Sequence, residues 1–339
     1  FGLLIIYSAS GEDNAMLTRQ LTRLSIAFVI LFVSAQIPPH WLKIITFWLF
    51  IIGLIMLIAV PLVGESHKGA QRWLNFGVIL VQPSEMMKLI IPMMVAGYLS
   101  EQHLPPVPKQ QIIAALLIIV PVLLIAKQPD LGTSLLIASS GFFVLFLAGI
   151  SWRVIGGLLL SAAALLPLLW FYLMKPYQKQ RVITFLNPES DPRGSGYHII
   201  QSKIAIGSGG GFGKGWLNGT QSQLEFLPER HTDFIFAVLA EEFGLLGVLL
   251  LFILYLFIIF RGLYIAIQAQ ESYTRLLAGG ITMIFFTYFF VNVGMVSGLL
   301  PVVGLPLPLV SYGGTSMVTL MAAFGILMSI QTHRRLLDQ

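Results

Sequence analysis

Residues 233–260 read DFIFAVLAEEFGLLGVLLLFILYLFIIF. No charge follows Glu242 up to Phe260, and a helix needs about 20 predominantly apolar residues to cross a hydrocarbon core. Working outward, comparable runs lie at 1–10, 20–37, 41–63, 83–100, 110–127, 131–148, 153–174, 275–298 and 314–331. The run 1–10 reads as the tail of a span, its first helix truncated, with no signal-peptide pattern before it. Composition agrees. Hydrophobic residues make up 56% of the 339 and charged residues only 10%, against roughly 25% charged in a soluble domain. So few charges cannot cover a water-facing surface. The expected fold is an all-α integral membrane bundle of about ten transmembrane helices. It forms a single domain over 1–339 and has one long connection, 175–232. Pro61, Pro92, Pro121 and Pro167 fall inside spans, where neighbouring helices can satisfy the freed backbone groups.

Cysteine is absent and the net charge is +5. This excludes thiolate chemistry and suits anionic lipids or a phosphate-bearing substrate. The basic residues are scattered between spans and form no stripe, which argues against nucleic acid. One set of short loops carries Lys43, Lys109, Arg153, Arg261, Arg275, Arg334 and Arg335 against Glu101, Glu271 and Asp338. By the positive-inside rule, which discounts long loops, that set and the C-terminus lie in the cytoplasm.

Alternating spans put every even-numbered start on the other face. Those starts follow Gln82-Pro83-Ser84-Glu85, Gln128-Pro129-Asp130, Glu229-Arg230-His231-Thr232-Asp233 and Ser311-Tyr312-Gly313-Gly314-Thr315. Pro in a first turn and Ser, Thr or Asp beside it are helix-start signals. An acid there also complements the helix dipole, so plain capping accounts for Asp130 and Glu85 as well as any function does. Glu85 and Lys88 are spaced i, i+3, which fits an ion pair on one helix face. Asp233 differs, because Glu225, Glu229, Arg230, His231 and Asp233 crowd beside an apolar run. Charge at the edge of a span marks a substrate path or relay. Glu241 and Glu242 fall further along the same run, and burial requires them to pair or to line a wet cavity.

The connection 175–232 is long for a structureless loop. Its patterned stretch Tyr197–Ile204 points to an ordered segment on the membrane interface. The run from Gly207 to Gly215 invites a phosphate-loop reading, which fails in detail. Ser208 stands where the motif needs Gly, Gly215 replaces the Ser or Thr after Lys214, and no strand precedes it. A flexible turn or a close backbone approach to a ligand remains. Asn218-Gly219-Thr220 matches a glycosylation acceptor, a pattern common by chance. The six histidines show no metal-ligand spacing and no triad. No metal cage or cofactor is evident, and a divalent-cation requirement is not legible in sequence.

The segments Lys68–Leu74, Gln82–Glu85, Gln128–Ser134, Gly196–Gly244 and the closing Gly298–Ser316 resemble the SEDS family (shape, elongation, division and sporulation), on its elongation branch. The resemblance runs in order along nearly the whole chain. It implies a peptidoglycan glycosyltransferase in the bacterial inner membrane, with an active site facing the periplasm. The enzyme would polymerise lipid II, release undecaprenyl diphosphate, and work with a class B penicillin-binding protein, a transpeptidase. The family's essential loop aspartate matches Asp233, which would act as general base. Its functional Glu and Lys match Glu85 and Lys88, and its Pro-Asp-Leu-Gly aspartate matches Asp130. Fixed cations can stabilise a departing diphosphate, and Arg72, Lys88, Lys203, Lys214 and Arg230 are candidates. A flippase for the same lipid is the rival. It uses Glu241 and Glu242 but leaves the acids and the long loop on one face unexplained, since carriers place key polar groups at mid-depth. A pure scaffold leaves the charges unused.

Overall fold

The computed structural model describes residues 1–67, 70–75, 77, 80–128, 130–191, 194–224, 226–227 and 229–333. Lys68, Gly69, Pro129, Glu225, Arg334, Arg335 and Asp338 lie outside the described residues. In chain order the elements are α1 (Gly2–Ala9), α2 (Asn14–Gln36), α3 (Pro39–Val63), β1 (Glu65–His67), β2 (Ala70–Asn75) and β3 (Leu80–Val81). Next come α4 (Pro83–Ser100), α5 (Pro108–Lys127), α6 (Leu131–Leu147), α7 (Trp152–Leu168), α8 (Pro176–Leu186), α9 (Ser195–Gly209) and α10 (Thr220–Gln223). The last are α11 (Ile235–Gln268), α12 (Ser272–Val296) and α13 (Thr315–Thr332).

Each of the ten expected runs holds a helix. Seven are long and apolar enough to cross a membrane: α2, α3, α5, α7 extended to Tyr172, α11, α12 and α13. The others are α1, α4 and the 17-residue α6. The chain is a multi-pass membrane protein. Prolines open α3, α4, α5 and α8, where the missing N–H costs nothing. Pro61, Pro92, Pro121 and Pro167 sit inside helices as expected. Just past Pro167, α7 gives way to a π turn at Leu169–Leu173.

The chain divides into two compact units. The first is Phe1–Leu17, Ile150–Leu254 and Phe289–Tyr312; the second is Thr18–Gly149, Tyr255–Tyr288 and Gly313–Gln339. In the second unit α4 is the central helix. It packs on α3, α5, α6 and α13, and Met87, Ile91, Val95, Ala96 and Leu99 are wholly buried. Ahead of it lies an antiparallel sheet, β1-β2-β3, which the sequence reading did not anticipate. Strands of three, six and two residues are too short to show a period.

In the first unit, α7 has no buried residue among its described side chains, as suits a helix apolar all round in lipid. The described residues of the 175–232 connection hold α8, α9 and α10. Its Gly-rich run makes backbone hydrogen bonds to α11. α11 breaks at Gly244, whose φ of 62° and ψ of −159° no helix tolerates. The run stitches both sides of the break. Lys214 and Gly215 donate their N–H groups to the carbonyls of Glu241 and Glu242, at 3.0 Å each, capping the first segment. Leu245 and Leu246 donate to the carbonyls of Gly210 and Gly211, at 2.9 and 3.2 Å, starting the second. A helix end leaves such groups orphaned, and here one loop satisfies both ends.

Candidate active site

Asp233 sits in a turn just before α11 and its side chain is partly exposed. Its surroundings come from far along the chain. Asn292 of α12, wholly buried, donates from Nδ2 to the carbonyl of Asp233 at 2.9 Å and to that of Leu305 at 2.7 Å. Ser311 donates its hydroxyl to the carbonyl of Thr232 at 2.6 Å and accepts from the Leu307 N–H at 2.7 Å. The Tyr312 N–H donates to the carbonyl of His231 at 2.8 Å, and the two rings meet edge to face at 6.0 Å. Three successive carbonyls, 231 to 233, are thus gripped by Tyr312, Ser311 and Asn292. Gly304, at φ +75°, passes so close that a Cβ there would lie 3.4 Å from Asp233 Oδ2. The carboxylate therefore projects from a fixed backbone, as a general base requires.

His198 of α9 stacks on Phe234 at 5.6 Å, with 24° between the rings. Its Nδ1 is buried without a partner. Burial pushes the imidazole below its usual value, while the carboxylates of Glu229 and Asp191 pull it up. Sequence reasoning missed His198 and Asn292. The only signals were a ring beside an interfacial stretch and an uncharged amide amid aromatic residues.

The other cations of this unit are placed differently from one another. Lys203 is exposed on α9. Arg230 donates through Nη1 to the Ser222 carbonyl. Lys214 is held by Glu241 Oε1 at 2.7 Å and by Thr220 at 2.7 Å. Its charge neutralises a buried acid, as that of Lys88 does for Glu85. Glu241 also accepts from the Gln221 N–H, at 3.0 Å, and Ser8 donates to Glu242. Both acids lie before the break at Gly244, in the last turn of a short helix.

In the second unit Asp130 caps a helix, Glu85 lies in the first turn of one without capping it, and each is paired. Asp130 accepts the Thr133 N–H at 3.2 Å as the cap of α6. It meets Arg72 Nη1 at 3.5 Å and Gln82 Nε2 at 3.5 Å. Arg72 reaches it from β2 and also donates through Nε to the Gln128 carbonyl at 3.3 Å. Glu85 and Lys88 form the expected ion pair, at 2.5 Å and buried. Lys88 Nζ donates as well to the Tyr288 hydroxyl at 2.5 Å, a partner no sequence spacing announces. Among the described residues no group of three His, Asp or Glu side chains is placed to hold a metal ion.

A family model described as "Cell cycle protein", covering FtsW, RodA and SpoVE, matches residues 1–336. The chain belongs to this family. Relatives of the FtsW/RodA/SpoVE family carry names that bear on activity. Peptidoglycan glycosyltransferase MrdB of Escherichia coli K12 is 58% identical over 339 residues, covering all of this chain and 92% of that protein. Peptidoglycan glycosyltransferase RodA of Treponema pallidum is 33% identical, covering 98% of this chain and 94% of that one. Among solved structures, a chain from work on the coordination of polymerization and crosslinking by a peptidoglycan synthase complex superposes with a TM-score of 0.85. It has 32% identity and covers 98% of this chain and 93% of its own. The Rod shape determining protein RodA of Thermus thermophilus gives 0.73 at 28% identity, with 98% and 93% covered.

Proposed function

We propose that this member of the family is a peptidoglycan glycosyltransferase. It joins lipid II disaccharides into glycan strands for cell elongation and rod shape, in the bacterial inner membrane with its site on the periplasmic face. The full-length identity of 58% to an enzyme of that name supports the activity. The observation that carries the mechanism is the Asp233 carboxylate, partly exposed on a turn whose backbone Asn292, Ser311 and Tyr312 hold. Asp233 takes the proton of the acceptor GlcNAc 4-hydroxyl as that oxygen attacks C1 of the donor MurNAc. The C1–O bond to undecaprenyl diphosphate breaks with inversion, and the diphosphate leaves with the electron pair. Arg72, Lys88, Lys203, Lys214 and Arg230 are the candidate cations to stabilise that charge. Glu85 and Asp130 keep Lys88 and Arg72 in place. The 175–232 connection faces the periplasm. Likeness to a chain of a peptidoglycan synthase complex supports a transpeptidase partner, a class B penicillin-binding protein.

A flippase would use the ten spans, the kinked helices and Glu241 and Glu242; with Lys214 and Ser8 on them, those two acids are occupied at the joint. Purified protein given lipid II and resolved on a gel tests the proposal. The wild type is expected to make long glycan chains. Asp233→Asn should lose at least about 100-fold in rate, the low end of general-base catalysis, with unfolding temperature unchanged. A wild type that makes no glycan overturns the activity. An Asn variant that polymerises normally overturns the base.

A further inference from the structure

We infer that Tyr288 is a positioning residue for the glycosyl-transfer site, acting through Lys88 and Glu85; the inference rests on the function proposed above. Lys88 is 2% exposed, and Tyr288 is among the largest fully buried side chains of the protein. The ammonium donates to Glu85 Oε1 and to the Tyr288 hydroxyl at 2.5 Å each, and lies 5.0 Å from the centre of the Tyr288 ring. The Tyr288 hydroxyl is also hydrogen-bonded to Ser316 in the first turn of α13. Three helices, α4, α12 and α13, are joined at that one phenol oxygen.

A plain packing role does not account for it. The neighbours Phe285, Ile284, Leu320 and Phe324 are apolar, and a phenylalanine would fill the same space without a buried hydroxyl to satisfy. What the hydroxyl adds is a stop for the lysine. A small crevice of about 20 Å³ lies beside Lys88, walled by Leu89, Ile281, Phe285, Tyr288 and Leu320. A four-carbon stem has several rotamers to choose from, and holding it in one costs entropy that a second partner offsets. The consequence falls on Glu85. Its Oε1 is fixed by the ammonium, while Oε2 is buried without a partner. That bare oxygen is the group left to accept a hydrogen bond from a substrate hydroxyl, an amide or a water. Its aim is set through Lys88 by Tyr288.

Polymerisation rates on lipid II, with kcat and KM separated, test this in the full chain. Tyr288→Phe keeps the ring and should lower kcat by about tenfold, the size expected for one hydrogen bond to a charged group. KM and the unfolding temperature should barely change. Ser316→Ala should fall short of that loss, and Y288F/S316A should be no slower than Y288F alone, because both act through one oxygen. A Y288F enzyme as fast as the wild type overturns the inference. So do losses that add in the double variant, or a loss that tracks a fallen unfolding temperature. An inactive wild type removes the enzymatic reading and this inference with it, whereas an active wild type with an equally active Y288F removes this inference alone.

Discussion

Asn292 holds two carbonyls with one amide nitrogen, that of Asp233 and that of Leu305. Asn292→Leu keeps the volume and strands both carbonyls, at about 1–3 kcal/mol for each buried group left unpaired. Its apparent unfolding temperature should fall, and kcat should fall with it as the Asp233 turn loosens. A variant as stable and as fast as the wild type would show that the turn is fixed without the amide. His198 carries the pH dependence of the same unit. Folded, its imidazole is held neutral by burial; unfolded, it titrates near 6.5. The unfolded chain therefore binds more protons between the lowered value and 6.5, so stability drops as pH falls through that window and levels off below it. His198→Phe keeps the stacking on Phe234 and should flatten the acid-side slope of unfolding temperature against pH. Equal slopes would clear His198 of the effect. Asp233 was legible because charges crowd around it in sequence. Asn292 and Tyr288 were not, since each is a lone uncharged polar group in an aromatic run, and only tertiary packing reveals its partners.

In the run from Gly207 to Gly215 the glycines are not equivalent. Gly213, at φ +80°, lies against the backbone of Glu242 and Phe243, so a Cβ there meets main-chain atoms that cannot move aside. Gly207 has nothing within 4 Å and an ordinary φ. Gly213→Ala should lower the apparent unfolding temperature, whereas Gly207→Ala should leave it level or raise it slightly, since alanine restricts the unfolded chain. Thermal unfolding of the two variants side by side checks this, and equal behaviour would mean that the stitch bears no strain. The spans themselves were legible, because apolar runs of that length have few other uses. The break in α11 was not. At 34 residues and about 1.5 Å each, the helix is far longer than a membrane needs, and nothing local says which glycine ends its first part.

For the protein as a whole, the expectation is a C-terminus in the cytoplasm and the 175–232 connection in the periplasm. The absence of native cysteine makes this simple to test. Single cysteines at Ser190 and Gly219 should react with an impermeant maleimide from outside spheroplasts, and a reporter fused after Gln339 should report the cytoplasm. Labelling of both cysteines from the cytoplasmic side would invert the topology. The order of spans and the identity of the acids could be read in sequence. That residues 304–312 close over the turn at 229–234 could not, because no local period encodes a contact between segments so far apart.

That distance has a consequence for synthesis. The grip on Asp233 is supplied by Asn292, Ser311 and Tyr312, which leave the ribosome about 60 to 80 residues after it, roughly 3–16 s later at usual translation rates. The stitch at Gly244 draws on residues already made. A nascent chain halted within α12 thus carries every acid of the site and a finished joint, yet leaves its base unanchored. The base is anchored only once Tyr312 has been made.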